Sequence, residues 1–142
     1  MLEDRVQRGL RAPVSTNSLR VAVLGTGPVG LGTAALLLSR GHEAAAWSPR
    51  GGLPAGSMRL TAEGALQHEA AIEAAATCAE AVAGAAAVLV AVPATAYHMT
   101  LEALAACLQP GQPVLISGHL SLGALFLSRL LARRGIAVPI AA

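Results

Sequence analysis

The chain has 142 residues, of which 54% are hydrophobic and 13% charged, enough for one real core and too few for two ordinary domains. Ala (32 residues) and Leu (22) dominate while Phe, Trp and Tyr occur once each, which argues against the aromatic platforms that stack single-stranded nucleic acid. The ten basic residues are all Arg, eight residues are acidic, and a net charge of +2 is too small and dispersed for a DNA or RNA footprint.

In chain order, Met1 to Ser18 carries Glu3, Asp4, Arg5, Arg8 and Arg11 without an apolar run. It reads as a mobile arm rather than a signal peptide. From Leu19 short apolar runs alternate with helix-period segments. Arg20–Leu24 (RVAVL) has the form of a strand buried on both faces. Pro28–Arg40 is expected to be a helix capped by Gly41, and His42–Trp47 a second strand stopped by Ser48, Pro49, Arg50, Gly51 and Gly52. Leu53–Ala76 alternates weakly around Met58–Thr61 and Ala70–Ile72, which suggests a small β excursion. Thr77 is placed to cap a short helix through about Ala83.

The later half repeats the unit. Ala86–Val92 is expected as a buried strand ended by Pro93, followed by a helix over Thr95–Leu108, a turn at Gln109–Gln112 and a strand over Pro113–Ser117. A helix over Ser121–Arg134, capped by Gly135, and a final strand over Ile136–Pro139 complete the chain. The mean hydropathy of +0.59 raises the question of a membrane span, and Ala81–Leu101 carries no charged residue. Pro93 interrupts that run, so no spanning helix is expected. Cys78 and Cys107 have neither CxxC spacing nor a His at ligand distance in sequence. They read as reduced, partly buried thiols of a cytoplasmic protein, with no metal site and no disulfide framework.

Strands alternating with helices imply right-handed βαβ crossovers and a mainly parallel sheet. Between the first strand and first helix stands LGTGPVG, in which Gly25, Gly27 and Gly30 form G-x-G-x-x-G. In that context Gly25 makes a tight turn, Gly27 lets the backbone approach a pyrophosphate, and Gly30 lets helix and strand pack closely. The N–H groups at the helix start face the anion. The expected fold is therefore α/β, a Rossmann-type doubly wound, mainly parallel sheet in three αβα layers. It occupies residues 19–142, with Gly25, Thr26, Gly27, Pro28, Val29 and Gly30 on the phosphate side of a dinucleotide.

Cofactor choice is set after the second strand, where a carboxylate would accept hydrogen bonds from ribose hydroxyls. No Asp or Glu occurs from Ala44 to Ala62, and Ser48 and Arg50 stand there instead. A hydroxyl and a guanidinium suit a 2′-phosphate, so NADP is expected ahead of NAD. Ligands in such sheets bind outside the carboxyl ends of the strands, which adds Val92, Pro93 and Ala94 after one strand and Ser117, Gly118 and His119 after the next. No residue is assigned to catalysis. His119 is a candidate imidazole acid or base and His98 a lesser one, neither with a carboxylate evident to orient it. His42 reads as surface packing on the far side from the phosphates, and Tyr97 as a pocket-rim residue.

The segments VAVLGTGPVGLGTAALLLSRGHEAAAWSPRG, CAEAVAGAAAVLVAVPATAYH and LQPGQPVLISGHLSLGALFLSRLLARRGIAVPIA together resemble the N-terminal cofactor domain of the octopine/nopaline (opine) dehydrogenases. The first segment is shared with ketopantoate reductases, glycerol-3-phosphate dehydrogenases and β-hydroxyacid dehydrogenases. The resemblance implies reduction by NAD(P)H of an imine formed from an amino acid and a 2-oxo acid. It also implies that catalytic groups lie in a helical C-terminal domain with no counterpart in these residues. Of the site only Gly25, Gly27 and Gly30 transfer cleanly, with Pro93 and Ala94 as weaker matches. Where family members carry Asn-Pro-Gly, this chain has Ser117, Gly118 and His119.

Three readings follow. The chain is the cofactor domain of an opine-dehydrogenase-like oxidoreductase, or that of a carbonyl-reducing relative, or a stand-alone NAD(P)-binding regulatory module without turnover. A small-molecule substrate is expected only with a second domain. The apolar stretch Leu120–Leu131 is expected to face that domain or a second copy in a homodimer.

Overall fold

The structure is a computed structural model that describes residues 17–118 and 122–142. Most of the expected arm, and His119 with its two successors, lie outside the described residues. Among the described residues seven strands form one sheet: β1 (Arg20–Leu24), β2 (Glu43–Trp47), β3 (Gly56–Ala62), β4 (His68–Ala74), β5 (Ala87–Val90), β6 (Val114–Ile116) and β7 (Ile140–Ala141). Their order is β3-β4-β2-β1-β5-β6-β7. Every neighbouring pair is parallel except the β3–β4 hairpin. This is the doubly wound Rossmann-type arrangement, with the chain reversing its direction of travel at β1.

The helices are α1 (Pro28–Ser39), α2 (Cys78–Val82), α3 (Tyr97–Cys107) and α4 (Gly123–Arg133), with a 3₁₀ turn over Ala94–Ala96 before α3. On one face of the sheet Ala22, Leu24, Val88, Val90, Val114 and Ile116 pack beneath α2, α3 and α4, which contribute Val82, Leu101, Leu104, Leu127 and Leu131. On the other face Val23, Ala44, Ala46, Ile72 and Leu89 meet Ala34 of α1, with Leu31, Leu37 and Leu38 partly buried around them. The alternation of Ala22 and Leu24 with Val23 follows from the two-residue period of a strand. It explains why β1 reads as a continuous apolar run: both faces are covered.

Side-chain hydrogen bonds fix the start of α2 and join separate elements. Thr77 caps α2, its hydroxyl accepting from the Glu80 N–H at 3.1 Å, as the sequence predicts. Gln112, nearly buried, donates from its amide to the carbonyls of Val82 (2.9 Å) and Ala85 (3.0 Å) and accepts from the Gln109 N–H at 2.8 Å. The Arg20 guanidinium reaches the carbonyls of Glu80 and Ala83, both at 3.1 Å, and the Glu73 carboxylate, tying β1 to β4 and α2.

The middle excursion forms as expected, with Met58 opposite Ile72 and Leu60 opposite Ala70 in the hairpin. The last strand does not fall where the sequence placed it. Ile136 is taken up in closing α4, its N–H donating to the Leu131 carbonyl at 3.2 Å, and Pro139 has no N–H to offer a ladder. Pairing with β6 begins at the Pro139 carbonyl, which accepts from Val114 at 2.9 Å, so β7 is Ile140–Ala141 rather than Ile136–Pro139. Among the described residues no helix is long and apolar enough to cross a membrane.

Candidate dinucleotide site

The carboxyl ends of β1, β2, β5 and β6 converge on one edge of the sheet, and backbone bonds carry the pairing on into the loops. The Gly25 N–H donates to the Trp47 carbonyl (2.8 Å), the Ala91 N–H to Leu24 (2.8 Å) and the Ser117 N–H to Val90 (3.0 Å). The loop after β1 is thereby held between the loops after β2 and β5.

The three glycines of that loop have different constraints. Gly25 has φ +127°, and a Cβ there would lie 2.0 Å from the Ala91 carbonyl oxygen. A Cβ on Gly30 would lie 2.2 Å from the Gly25 carbonyl oxygen and touch Val23, so α1 approaches β1 too closely for any side chain. Around Gly27 nothing lies within 4 Å of the same construction. The fold needs the outer two glycines and leaves the middle one facing open space.

Gly27 is the N-cap of α1, which has no side-chain cap and begins with Pro28. The first intrahelical bond beyond the loop is Leu31 N–H to the Gly27 carbonyl at 3.0 Å. The Val29 and Gly30 N–H groups therefore point out of the helix start, with the positive end of its dipole behind them. Thr26 lies in the same loop and Val29 is 60% exposed at its mouth. A helix start with free N–H groups and no side chain over its cap is one that an anion can approach.

Across the loop, Ser48 and Arg50 form a turn, with the Arg50 N–H donating to the Ser48 hydroxyl at 3.3 Å. The Arg50 guanidinium donates to the Thr95 hydroxyl at 2.9 Å, bridging the loops after β2 and β5. The structure thus brings Ser48 and Arg50 to the same edge as Val92, Pro93 and Ala94. Thr95 is a partner of Arg50 that the sequence reading does not single out. It lies 45 positions from Arg50, and no spacing rule pairs them.

Two sequence expectations need correction. Tyr97 is not on a rim: it is 4% exposed and belongs to the core beneath α3 and α4. The spacing Tyr97, Leu101, Leu104 already places it on the buried stripe of α3. Its hydroxyl lies under Gly118, where a Cβ would come within 2.3 Å of it, and burial pushes the phenol above its ordinary pKa. His98 does have a carboxylate to orient it. Its Nδ1 lies 3.4 Å from Glu102, one turn along α3, and its ring packs against Phe126 with centroids 5.0 Å apart. That imidazole is 74% exposed and engaged with α4.

His42 accepts from the Leu19 N–H at 3.3 Å, at the end of the sheet opposite the glycine loop. No group of three metal-ligating side chains occurs among the described residues. The hollow of about 650 Å³ at the tip of the β3–β4 hairpin, lined by Glu63, His68 and Glu69, also lies away from the glycine loop.

A Rossmann-type sheet with such a loop defines the cofactor-binding domain of an NAD(P)-dependent dehydrogenase. Residues 20–119 match the family described as NAD-dependent glycerol-3-phosphate dehydrogenase N-terminus, and the chain belongs to that family. No curated protein matches it in sequence. Among solved structures, octopine dehydrogenase with NADH and pyruvate superposes with a TM-score of 0.66 at 20% identity, over 87% of this chain and 35% of that one. The 3-hydroxyisobutyrate dehydrogenase of Mycobacterium tuberculosis gives 0.61 at 18% identity, covering 89% and 42%. Glycerol-3-phosphate dehydrogenase of Coxiella burnetii gives 0.59 at 17% identity, covering 87% and 39%. These likenesses are of fold, and the chain spans less than half the length of each of these enzymes.

Proposed function

We propose that the chain is the NAD(P)(H)-binding half of an opine-dehydrogenase-like oxidoreductase, in which the reduced cofactor delivers hydride to an imine formed from an amino acid and a 2-oxo acid. The cofactor role rests on one observation: Gly27 opens into empty space at a helix start, between two glycines that the fold itself requires. In this reading the N–H groups of Val29 and Gly30 bind the pyrophosphate. Val92, Pro93 and Ala94 flank the nicotinamide-side ribose, and catalytic groups and the substrate pocket come from a second domain.

NADPH is the preferred form in this proposal; supporting it, Ser48 and Arg50 follow β2, where such sheets recognise the ribose, and a hydrogen bond to Thr95 steadies the guanidinium. Arg50 has donors beyond the one given to Thr95, enough for a forked contact with phosphate. Calorimetric titration of the 142-residue protein tests this. NADPH should bind about tenfold tighter than NADH, and Arg50→Ala should erase the difference by weakening NADPH alone. NADH binding as tightly as NADPH to the unaltered protein overturns the preference.

The imine chemistry is supported by the sequence resemblance and by likeness of fold to octopine dehydrogenase. The family match at residues 20–119 favours the second reading, a carbonyl-reducing relative. Mass analysis of the product distinguishes them when the enzyme is supplied with NADPH, a 2-oxo acid and an amino acid: a secondary amine supports the first, a hydroxy acid the second. Turnover by the 142-residue chain alone overturns the claim that catalytic groups lie elsewhere. A homodimer or docked domain over Leu122 and Leu125, 72% and 45% exposed, belongs to the same proposal. A strict monomer at high concentration in light scattering removes its homodimer form.

A further inference from the structure

Away from the cofactor loop, α2 and α3 pack together and bring the sulfurs of Cys78 and Cys107 to 3.6 Å. Both are free thiols, Cys78 buried and Cys107 half-buried. A disulfide requires about 2.05 Å, so closure asks for a sulfur movement of about 1.5 Å, within reach of side-chain rotation and a small helix shift. We propose that Cys78 and Cys107 are a peroxide-oxidised dithiol that closes an intramolecular disulfide between α2 and α3.

The two sulfurs have unequal surroundings. Cys107 sits in the last turn of α3, where the Arg134 guanidinium donates to the carbonyls of Ala105 (2.6 Å) and Leu108 (2.8 Å). Its thiol is held below the ordinary value by the hydrogen bond with Cys78, with Arg134 adding to the effect against the penalty of burial. Cys78 is pushed up by that same hydrogen bond, by burial and by the charge of Cys107. The more exposed, more acidic sulfur is the nucleophile, and the buried one resolves.

The Cys107 thiolate attacks one oxygen of hydrogen peroxide, the O–O bond breaks, and the departing hydroxide takes a proton to become water. This leaves Cys107 as the sulfenic acid. The Cys78 sulfur then attacks the Cys107 sulfur, the S–O bond breaks, and the departing hydroxide carries off the Cys78 proton as a second water. Two thiols are oxidised to one disulfide and one peroxide is reduced to two waters. The loop so closed contains all of β5, whose far end supplies Val92, Pro93 and Ala94.

The test treats the reduced 142-residue protein with equimolar hydrogen peroxide and then alkylates it. The expected product is a monomer lighter by two hydrogens and free of alkylation. Proteolysis after Glu80 and Glu102, which separates the cysteines, should leave their two peptides joined until reduction. The oxidised protein should melt about 5–10 °C higher than the reduced one. Cys78→Ala should accumulate the Cys107 sulfenic acid, trapped by dimedone, where the unaltered protein traps little. Two alkylated thiols, a covalent dimer through Cys107, or equal dimedone trapping with and without Cys78 each overturn the proposal.

Discussion

On one face of the sheet α2, α3 and α4 close over Leu24, Val88, Val90, Val114 and Ile116; on the other, among the described residues, α1 is the one helix over Val23, Ala44, Ala46, Ile72 and Leu89. The first face is closed over β1, β5 and β6 and pinned by Gln112 and Arg134, and it lies open over the β3–β4 hairpin, where Arg59, Ala71 and Glu73 are exposed. The second thins out past β5. Leu115, in register with Leu89 on one side and Ala141 on the other, is 51% exposed. The comparison separates two jobs in one sheet: the three-helix face carries most of the stability, and the one-helix face carries the glycine loop that sets α1 in place.

Substitutions on the two faces should therefore differ in size and in what they disturb. Leu104→Ala, fully buried on the three-helix face, should cost about 3 kcal/mol in denaturant unfolding, the usual loss for a large core side chain left as a cavity. A loss below about 1 kcal/mol would break the distinction. Gly30→Ala should cost about 2 kcal/mol, since α1 must move off the Gly25 carbonyl, and should weaken dinucleotide binding in the same calorimetric titration. Leu37→Ala, only partly buried on α1, should cost about 1 kcal/mol by the apolar area it returns to water. Leu115→Gln, on the open part of the sheet, should change stability by about 0.5 kcal/mol or less. A larger loss there would show that this face is covered in solution.

The elements were legible where one local rule decided them. The Val-rich runs of β1 and β5 read as strands buried on both faces, and Thr77 announced α2 by its capping oxygen. The weak alternation around Met58–Thr61 and Ala70–Ile72 suggests a small β excursion, and the hairpin pairing itself emerges only in the fold. The last strand starts later than its apolar run suggests because Ile136 closes α4 and Pro139 can only accept. The glycine loop was legible because its spacing encodes backbone geometry. The Arg50–Thr95 bridge and the Cys78–Cys107 approach were not, since each joins residues far apart in sequence that meet only when βαβ crossovers stack their elements. Tyr97 differs for another reason: an amphipathic residue next to a crevice suggests a rim, whereas its helical spacing with Leu101 and Leu104 is that of a buried stripe.

The unequal demands on the three loop glycines bear on how such domains age. A descendant that no longer bound a dinucleotide would still need Gly25 and Gly30, because losing either pushes a side chain into backbone. It would be free to replace Gly27, whose Cβ direction is empty. In relatives of this chain the middle glycine is therefore the informative one: its retention marks a cofactor still in use, and its drift marks a scaffold kept after the chemistry has gone.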